Sequence, residues 1–308
     1  MTTVLLHGPP KVWETFGRPI EEAIARAVPD ATVSRDAPPE AADWVVLGDV
    51  SEVTDFAVFR SARAILCLWA GVEEVLAQDP PQPVARMVDP GLTQGMVEWV
   101  VGHVMRHHLD LDRWIGADRP GWNHPPPPLA FRRRVGVLGL GALGGAAATA
   151  LAGLGFDVAG WARGAKSIPG VRALTGEAGL RAVLGRSEIL VLLVPHTSET
   201  EGLMGAANLA RMPEGSVLLN PGRGALVDED ALLQALARGR PGHATLDTFR
   251  TEPLPEGHPF WSHPKVTVTP HIASATRPDT AAEVIAENVR RGEAGEPLLH
   301  LVDRARGY

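Results

Sequence analysis

The chain has 308 residues, of which 45% are hydrophobic, and a formal net charge of −7 at pH 7. This length suffices for two domains of ~100 to 200 residues with a sizeable core. The modest acidic charge and a single short basic run at residues 132–134 argue against nucleic acid or an anionic membrane as a partner. No apolar run approaches the ~20 residues that span a bilayer. One cysteine, Cys67, and no signal-peptide pattern predict a cytoplasmic protein without an internal disulfide.

Short apolar runs at residues 3–7, 44–47 and 64–68 predict strands, and residues 19–27 predict a helix between the first two. Alternating strands and helices are typical of a parallel sheet. Cys67 lies within the third run, which favours a buried and unreactive thiol over a nucleophile.

The third strand is followed by a turn, Trp69, Ala70, Gly71 and Val72, that leads into a short predicted helix. Backbone N–H groups at such a turn can bind an anion. An ordinary strand-to-helix loop has the same pattern, so the residues alone leave both interpretations open.

Residues 92–109 predict a long amphipathic helix. His103 and His107 are four residues apart and could share a metal ion, but no third ligand follows nearby. We therefore predict surface or interface histidines and no metal site. Four prolines at residues 125–128 predict a stiff spacer into the next domain, in preference to a polyproline ligand for a partner.

An apolar run is followed by three glycines, Gly139, Gly141 and Gly144, with the spacing G-x-G-x-x-G. For a bound dinucleotide, Gly139 permits a tight turn, Gly141 lets backbone amides approach the pyrophosphate, and Gly144 lets the next helix pack closely. The helix N-terminus supplies unpaired N–H groups and a partial positive charge. Residues 133–138 predict the strand and residues 142–154 the helix that this motif requires.

Apolar runs predict five further strands, at residues 157–161, 188–194, 216–220, 243–247 and 266–269. A helix is predicted at residues 228–237. This alternation predicts a doubly wound dinucleotide-binding domain at residues 97–274. Residues 1–96 with 275–308, including a predicted helix at 278–291, would form the other domain.

The residues after the second strand of this domain bear on the cofactor. A carboxylate at that point holds the adenosine ribose of NAD. Here Ala162 occupies the position, between Trp161 and Arg163, and Lys166 follows. Because arginine can bond a 2′-phosphate bidentately, the sequence predicts NADP(H) as the preferred cofactor, with NAD(H) possible. The alternative is that Arg163 and Lys166 are solvated loop charges.

Three further motifs follow at the ends of successive strands, where a doubly wound sheet binds its ligands. They are NPGRG at residues 220–224, DTFRTEPLP at residues 247–255 and TPHIAS at residues 269–274. Each alone fits an ordinary turn or capped loop. Together, and in this order after the glycines, they indicate an enzyme.

In these motifs and their order the sequence resembles the D-isomer-specific 2-hydroxyacid dehydrogenases, most closely their glyoxylate/hydroxypyruvate reductase A branch. The resemblance covers nearly the whole chain. It implies an α/β fold of two doubly wound parallel-sheet domains, a flavodoxin-like substrate domain and a Rossmann NAD(P)-binding domain, with an interdomain cleft. It also implies NADPH preference and a homodimer, with the helix at residues 92–109 as the expected interface.

By this resemblance Arg223, Glu252 and His271 match the catalytic residues of the family, and Asp247 matches an acid near the nicotinamide carboxamide. The resemblance favours substrate binding at the turn of the first domain, and the substrate residues would be Trp69, Ala70, Gly71, Val72, Arg223 and His271. The predicted cofactor contacts are Gly139, Gly141, Ala142, Leu143, Gly144, Trp161, Ala162, Arg163, Lys166, Val194, Pro195, Pro221, Gly222, Asp247 and Ala273.

The chemistry requires these residue types. Reduction of a 2-oxo acid needs a positioned acid, and imidazole suits that role because it titrates near neutral pH. Glu252 would bond the other ring nitrogen of His271 and favour its protonated form. Arg223 would hold the substrate carboxylate with a fork that lysine cannot copy.

We therefore expect an NADPH-preferring reductase of small 2-oxo acids that converts glyoxylate to glycolate and hydroxypyruvate to D-glycerate. One alternative is a dehydrogenase for a larger D-2-hydroxy acid, because the sequence does not define the outer wall of the pocket and Trp69 stands where small residues are usual in the family. Another is a non-catalytic NAD(P)-sensing protein on the same fold, which would need the glycines but no acid–base pair.

Overall fold

The computed structural model describes residues 2–115 and 125–307. It forms two compact units, Met1–Leu92 with Ala275–Tyr308, and Thr93–Ser274. The helices are α1 (Pro10–Ala27), α2 (Glu73–Ala77), α3 (Pro90–His108), α4 (Leu111–Ile115), α5 (Ala142–Gly153), α6 (Gly176–Arg186), α7 (Ala206–Leu209), α8 (Glu229–Ala237) and α9 (Pro278–Glu293).

The first unit contains a parallel sheet of five strands in the order β2-β1-β3-β4-β5. The strands are β1 (Thr2–His7), β2 (Ala31–Ser34), β3 (Trp44–Leu47), β4 (Ile65–Cys67) and β5 (Val84–Ala85). Helices α1 and α9 pack against each other, and both contribute to one core together with alternate residues of the central strands.

Helix α1 begins at Pro10, nine residues before the predicted start at Pro19. Proline is favoured in the first turn of a helix, where its missing N–H has no intrahelical partner. The helix continues through Pro19 because Phe16, Ile20 and Ile24 are buried at helical spacing along one stripe. Packing of this apolar stripe outweighs the unfavourable effect of an internal proline.

The second unit contains a parallel sheet of seven strands in the order β12-β11-β10-β9-β6-β7-β8. The strands are β6 (Arg134–Leu138), β7 (Asp157–Trp161), β8 (Val171–Leu174), β9 (Ile189–Leu192), β10 (Val217–Asn220), β11 (His243–Leu246) and β12 (Val266–Val268). The chain order reverses on the two sides of β6, which is the position where doubly wound sheets bind ligands beyond the carboxyl ends of their strands.

The strand β9 shows how the two cores of this unit are divided. Ile189 and Val191 belong to one buried cluster, and Leu190 and Leu192 belong to the other. Side chains alternate between the faces of a strand, so a strand covered on both faces is apolar throughout. Within the described residues, no helix is both long and apolar enough to cross a membrane.

Three histidines of the second unit lie where helix α3 meets the edge of the sheet. His107 Nε2 is 2.9 Å from Thr245 Oγ1, and His243 Nε2 is 3.0 Å from Thr267 Oγ1. Burial lowers the pKa of His107 to about 3 and that of His243 to about 4. His103 also has a lowered pKa because it is partly buried. Within residues 2–115 and 125–307, no group of three or more histidine, cysteine or acidic side chains is arranged to hold a metal ion.

The lowered pKa values of these histidines predict a loss of stability in mild acid. The unfolded chain takes up protons near the ordinary histidine pKa of 6.5, whereas His107 in the folded chain does so only near 3. The contribution of His107 to the free energy of unfolding should therefore be complete above pH 6.5 and decrease as the pH drops from 6.5 toward 3. Thermal unfolding followed from about pH 7.5 to about pH 5 should show a falling Tm.

The variant His107→Asn removes one of these groups and should make the dependence of Tm on pH shallower, whatever its effect on the Tm at neutral pH. An unchanged slope in this variant would assign the acid sensitivity to other residues.

Candidate active site

Two of the three glycines after strand β6, Gly139 and Gly144, occupy sites with no room for a Cβ. Gly139 has a φ of +98°, and a Cβ placed on it would lie 2.3 Å from the carbonyl oxygen of Leu193. A Cβ on Gly144 would lie 1.8 Å from the Gly139 oxygen. A Cβ on Gly141 would meet nothing within 4 Å. The first and third glycines thus allow close packing, and the second leaves open space at the start of α5.

This open space fits a dinucleotide phosphate. Gly141 is the N-cap of α5 and places no capping side chain on its first N–H groups. Ala142 and Leu143 form the first turn of this helix, and Ala142 is exposed. A helix N-terminus of this kind favours an anion through its orphan N–H groups and its dipole.

The end of strand β7 lacks a carboxylate. Ala162 is buried, and its N–H donates to the Leu174 oxygen at 3.1 Å, while the indole of Trp161 donates to the Gly176 oxygen at 2.8 Å. Arg163 and Lys166 are exposed. Arg163 Nη1 lies 4.0 Å from Glu199 Oε2, and no sequence motif indicated this contact.

The loop after strand β9 continues this edge of the sheet. Val194 is buried, and the Pro195 oxygen accepts a hydrogen bond of 2.6 Å from Thr200 Oγ1. The hydroxyl of Thr200 also lies 2.8 Å from the N–H of Thr197, which donates to it. The loop is therefore held by its own side chains in a fixed turn.

The loop after strand β10 carries Arg223. Buried Asn220 ties this loop together, because its Nδ2 donates to the Arg223 oxygen at 2.9 Å and its Oδ1 accepts from the Gly222 N–H at 3.2 Å. Pro221 is buried within the turn. A Cβ on Gly224 would lie 1.9 Å from the Phe249 carbonyl carbon, so this backbone touches the loop that leads to Glu252.

Glu252 and His271 form a direct pair. Glu252 Oε2 lies 2.5 Å from His271 Nδ1, and Glu252 Oε1 accepts from the Phe249 N–H at 2.8 Å. One carboxylate oxygen is thus fixed by the backbone and the other by the imidazole. The His271 side chain is 52% exposed, so its Nε2 edge can reach a ligand. No sequence motif indicated the contribution of the Phe249 N–H.

Asp247 and Ala273 are buried behind this pair. The Asp247 carboxylate accepts from the N–H groups of Ile272 at 3.0 Å and Ala273 at 2.9 Å. A pocket of about 440 Å³ also borders Glu252 and His271, and its other lining residues are Phe249, Pro253, Leu254, Trp261, Val268 and Pro270.

The turn Trp69 to Val72 belongs to the first unit, whereas Arg223, Glu252 and His271 belong to the second. The Trp69 ring is 40% exposed and packs edge-on against Phe16, with the ring centroids 6.2 Å apart. Ala70 and Gly71 are partly exposed, and Val72 is buried.

Comparison with known proteins gives consistent matches. The sequence model of the D-isomer specific 2-hydroxyacid dehydrogenase NAD binding domain matches residues 99–273. Glyoxylate/hydroxypyruvate reductase A of Serratia proteamaculans (strain 568) is 38% identical over 255 residues, which are 80% of this chain and 82% of that protein.

Two solved structures match the chain over its full length. The D-isomer specific 2-hydroxyacid dehydrogenase of Xanthobacter autotrophicus Py2, in complex with NADPH and MES, has a TM-score of 0.89 and 41% identity, covering 100% of this chain and 99% of that one. The NADPH-dependent glyoxylate/hydroxypyruvate reductase of Sinorhizobium meliloti, in complex with NADP and sulfate, has a TM-score of 0.87 and 33% identity, covering 100% of both chains.

Two adjacent glycines of α5 give a matched test of the dinucleotide loop. Gly144→Ala places a methyl group against the Gly139 oxygen, whereas the nearest atom to a Cβ on Gly145 is 3.6 Å away. We expect Gly144→Ala to weaken NADP⁺ binding about tenfold or more, because the turn must open to admit the methyl group. Gly145→Ala should leave the dissociation constant within about twofold, since alanine favours the helix. Calorimetric titration measures both constants, and equal effects would contradict this account of Gly144.

Proposed function

Because the chain belongs to the D-isomer-specific 2-hydroxyacid dehydrogenases, we propose that it reduces small 2-oxo acids with NADPH, converting glyoxylate to glycolate and hydroxypyruvate to D-glycerate. The observation that carries the proposal is the contact of 2.5 Å between Glu252 Oε2 and His271 Nδ1. A protein that only sensed a dinucleotide would need the glycine loop but not this acid–base pair. The relatives from Serratia and Sinorhizobium support these two substrates.

His271 is the proposed proton donor. When bound, NADPH supplies the hydride that is added to the carbonyl carbon. The Nε2–H of protonated His271 gives its proton to the carbonyl oxygen, which leaves a neutral imidazole and a hydroxyl group on the product. Glu252 bonds Nδ1 and holds the orientation of the ring, as a carboxylate partner does for a catalytic imidazole.

Arg223 is the proposed partner of the substrate carboxylate. A guanidinium binds a carboxylate with two parallel hydrogen bonds and polarises an adjacent carbonyl. Asn220 and the backbone contact at Gly224 support this role because they hold the loop of Arg223. We assign the N–H groups of Ala70, Gly71 and Val72 as further donors to the carboxylate, with Trp69 beside them as a further substrate residue.

Arg163 and Lys166 are the proposed partners of the cofactor 2′-phosphate. Ala162 offers no carboxylate to repel a phosphate, and both basic side chains are exposed at the end of β7. The relatives from Xanthobacter and Sinorhizobium were solved with NADPH and NADP. The remaining proposed cofactor contacts are Gly139, Gly141, Ala142, Leu143, Gly144, Trp161, Val194, Pro195, Pro221, Gly222, Asp247 and Ala273.

We also propose a homodimer with the helix at residues 92–109 as its interface. Three large apolar residues that follow this helix in the chain, Ile115, Leu129 and Phe131, are at least 61% exposed. Exposed apolar side chains of this size are favourable in an interface. Light scattering coupled to size-exclusion chromatography measures the mass of the assembly in solution and so tests the proposed dimer. We further propose a cytoplasmic location, because a single cysteine, which allows no internal disulfide, suits a reducing compartment.

The proposed reaction is tested by initial rates with glyoxylate, hydroxypyruvate, pyruvate and phenylpyruvate, each with NADPH and with NADH. We expect the highest kcat/KM for the first two substrates with NADPH. Tight binding of NADP⁺ without turnover of any substrate would favour a sensor. A preference for phenylpyruvate would favour the larger hydroxy acids.

The role of Arg163 is tested by Arg163→Ala. Loss of the charged hydrogen bonds to a 2′-phosphate should raise the KM for NADPH about tenfold or more and leave that for NADH nearly unchanged. Arg172→Ala, at an exposed position on β8, serves as the control for a general loss of positive charge. Equal changes in KM for both cofactors would show that the phosphate is not bound at Arg163.

The role of His271 is tested by His271→Asn. Without its proton donor the enzyme should lose about 10² to 10⁴ in kcat for glyoxylate, while the dissociation constant for NADP⁺ stays within about twofold of that of the parent protein. Stopped-flow turnover and calorimetric titration measure these two quantities. A kcat equal to that of the parent protein would remove His271 from the mechanism.

A further inference from the structure

The backbone of His271 has a left-handed conformation, with a φ of 52°. A residue with a Cβ adopts this conformation at a cost, and it persists only where the surrounding structure holds it. The imidazole itself is half exposed, and its Nδ1 bonds Glu252 Oε2. The direction in which His271 projects therefore depends on the contacts of its own backbone as well as on Glu252.

Asp247 contacts the backbone of His271 and of the two residues after it. The His271 N–H donates to the Asp247 carbonyl oxygen at 2.9 Å. The Asp247 carboxylate, which is fully buried, accepts from Ile272 N–H and Ala273 N–H on one side of the turn. On the other side it accepts from the hydroxyl of Thr269, at 2.5 Å from Oγ1 to Oδ1. Asp247 thus forms hydrogen bonds with residues before and after His271 and with His271 itself.

Asp247 and Thr269, with the hydrogen bonds that they make around His271, form a clamp. This clamp is joined to the sheet at both ends. Asp247 follows directly after β11, and its own N–H donates to the Asn220 oxygen at 3.0 Å. Thr269 follows β12, and its N–H donates to the Leu246 oxygen at 2.9 Å. The turn that carries His271 is therefore fastened to the ends of neighbouring strands rather than left as a loose loop.

We propose that Asp247 and Thr269 are positioning residues for proton transfer, because together they hold His271 in the left-handed turn from which its ring meets Glu252. This inference rests on the proposed function of His271 as the proton donor. A buried carboxylate with backbone and hydroxyl donors forms strong charge-assisted hydrogen bonds, which suits it to hold an unfavourable backbone conformation. Asp247 then contributes to the reaction through His271, whatever contact it also makes with the nicotinamide.

Thr269→Val is the sharpest probe of the clamp. Valine has the shape of threonine but no hydroxyl, so the variant removes the Thr269 donor and leaves the two backbone donors of the carboxylate in place. The chain offers a matched control next to Asp247, since Thr248 is buried and its hydroxyl has no hydrogen-bond partner among the described residues. Thr248→Val makes the same chemical change without touching the clamp.

We expect Thr269→Val to lower kcat for glyoxylate about tenfold, because a small displacement of a catalytic group is costly. The dissociation constant for NADP⁺ should stay within about twofold, and the solvent deuterium isotope effect on kcat should rise as proton transfer becomes slower. Thr269→Ser keeps the hydroxyl and should restore most of kcat. Thr248→Val should resemble the parent protein in both kcat and isotope effect.

Three results would overturn the inference: an unchanged kcat in Thr269→Val, an equal fall in Thr248→Val, or a serine variant as impaired as the valine variant. Thermal unfolding checks that each variant is folded at the assay temperature. If Thr269→Val is unfolded there, Thr269→Cys replaces it, and its weak S–H donor should give a kcat between those of the serine variant and His271→Asn.

Failure of the clamp and failure of the proposed function are distinguishable. If His271→Asn retains kcat, the proton-donor role fails, and the clamp has no catalytic group to position. If His271→Asn loses kcat but Thr269→Val does not, the proposed function stands and the clamp alone is wrong.

Discussion

Parallel pairing of the seven strands in the second unit is the constraint on which the rest of the site depends. Because neighbouring strands of this sheet run in the same direction, the loops after β6, β7, β9, β10, β11 and β12 all begin at one edge. These loops carry the glycines, Arg163, Arg223, Glu252 and His271. The direction of the strands thus places residues more than a hundred positions apart in the chain at the same edge of the sheet. This placement does not depend on contacts between their side chains.

Close backbone contact is the second requirement. The sites of Gly139, Gly144 and Gly224 have no room for a Cβ, since each would place one within 2.3 Å of a neighbouring backbone atom. The contact at Gly224 brings the loop of Arg223 against Phe249, whose N–H in turn holds Glu252. Packing density therefore links the proposed carboxylate partner to the acid–base pair through the backbone.

Buried polar groups complete the arrangement. Asn220 and Asp247 are fully buried at the ends of adjacent strands, and each satisfies its side chain with donors or acceptors from its own or a neighbouring loop. A buried polar group without partners is destabilising, whereas a satisfied one specifies a single conformation. In this protein Asn220 and Asp247 lie at the ends of strands and hold the adjoining loops in defined conformations.

The sequence by itself determined the family, the α/β class and most of the strands, because these follow from local patterns. The bounds of β3 and β7 agree with the predicted ones. Strands β2, β5 and β8 were not predicted. β5 has two residues, and β2 and β8 are partly exposed edge strands, so none of the three shows an apolar run.

Motifs also selected Arg223, Glu252 and His271 as candidates, but only the tertiary structure brought Glu252 Oε2 to within 2.5 Å of His271 Nδ1. The start of α1 at Pro10, the ion pair of Arg163 with Glu199 and the clamp of Asp247 with Thr269 were likewise decided by the folded structure. The physical reason is the same in each case. Residue type and spacing determine what a side chain can do, whereas its partners depend on packing between segments that are distant in the chain.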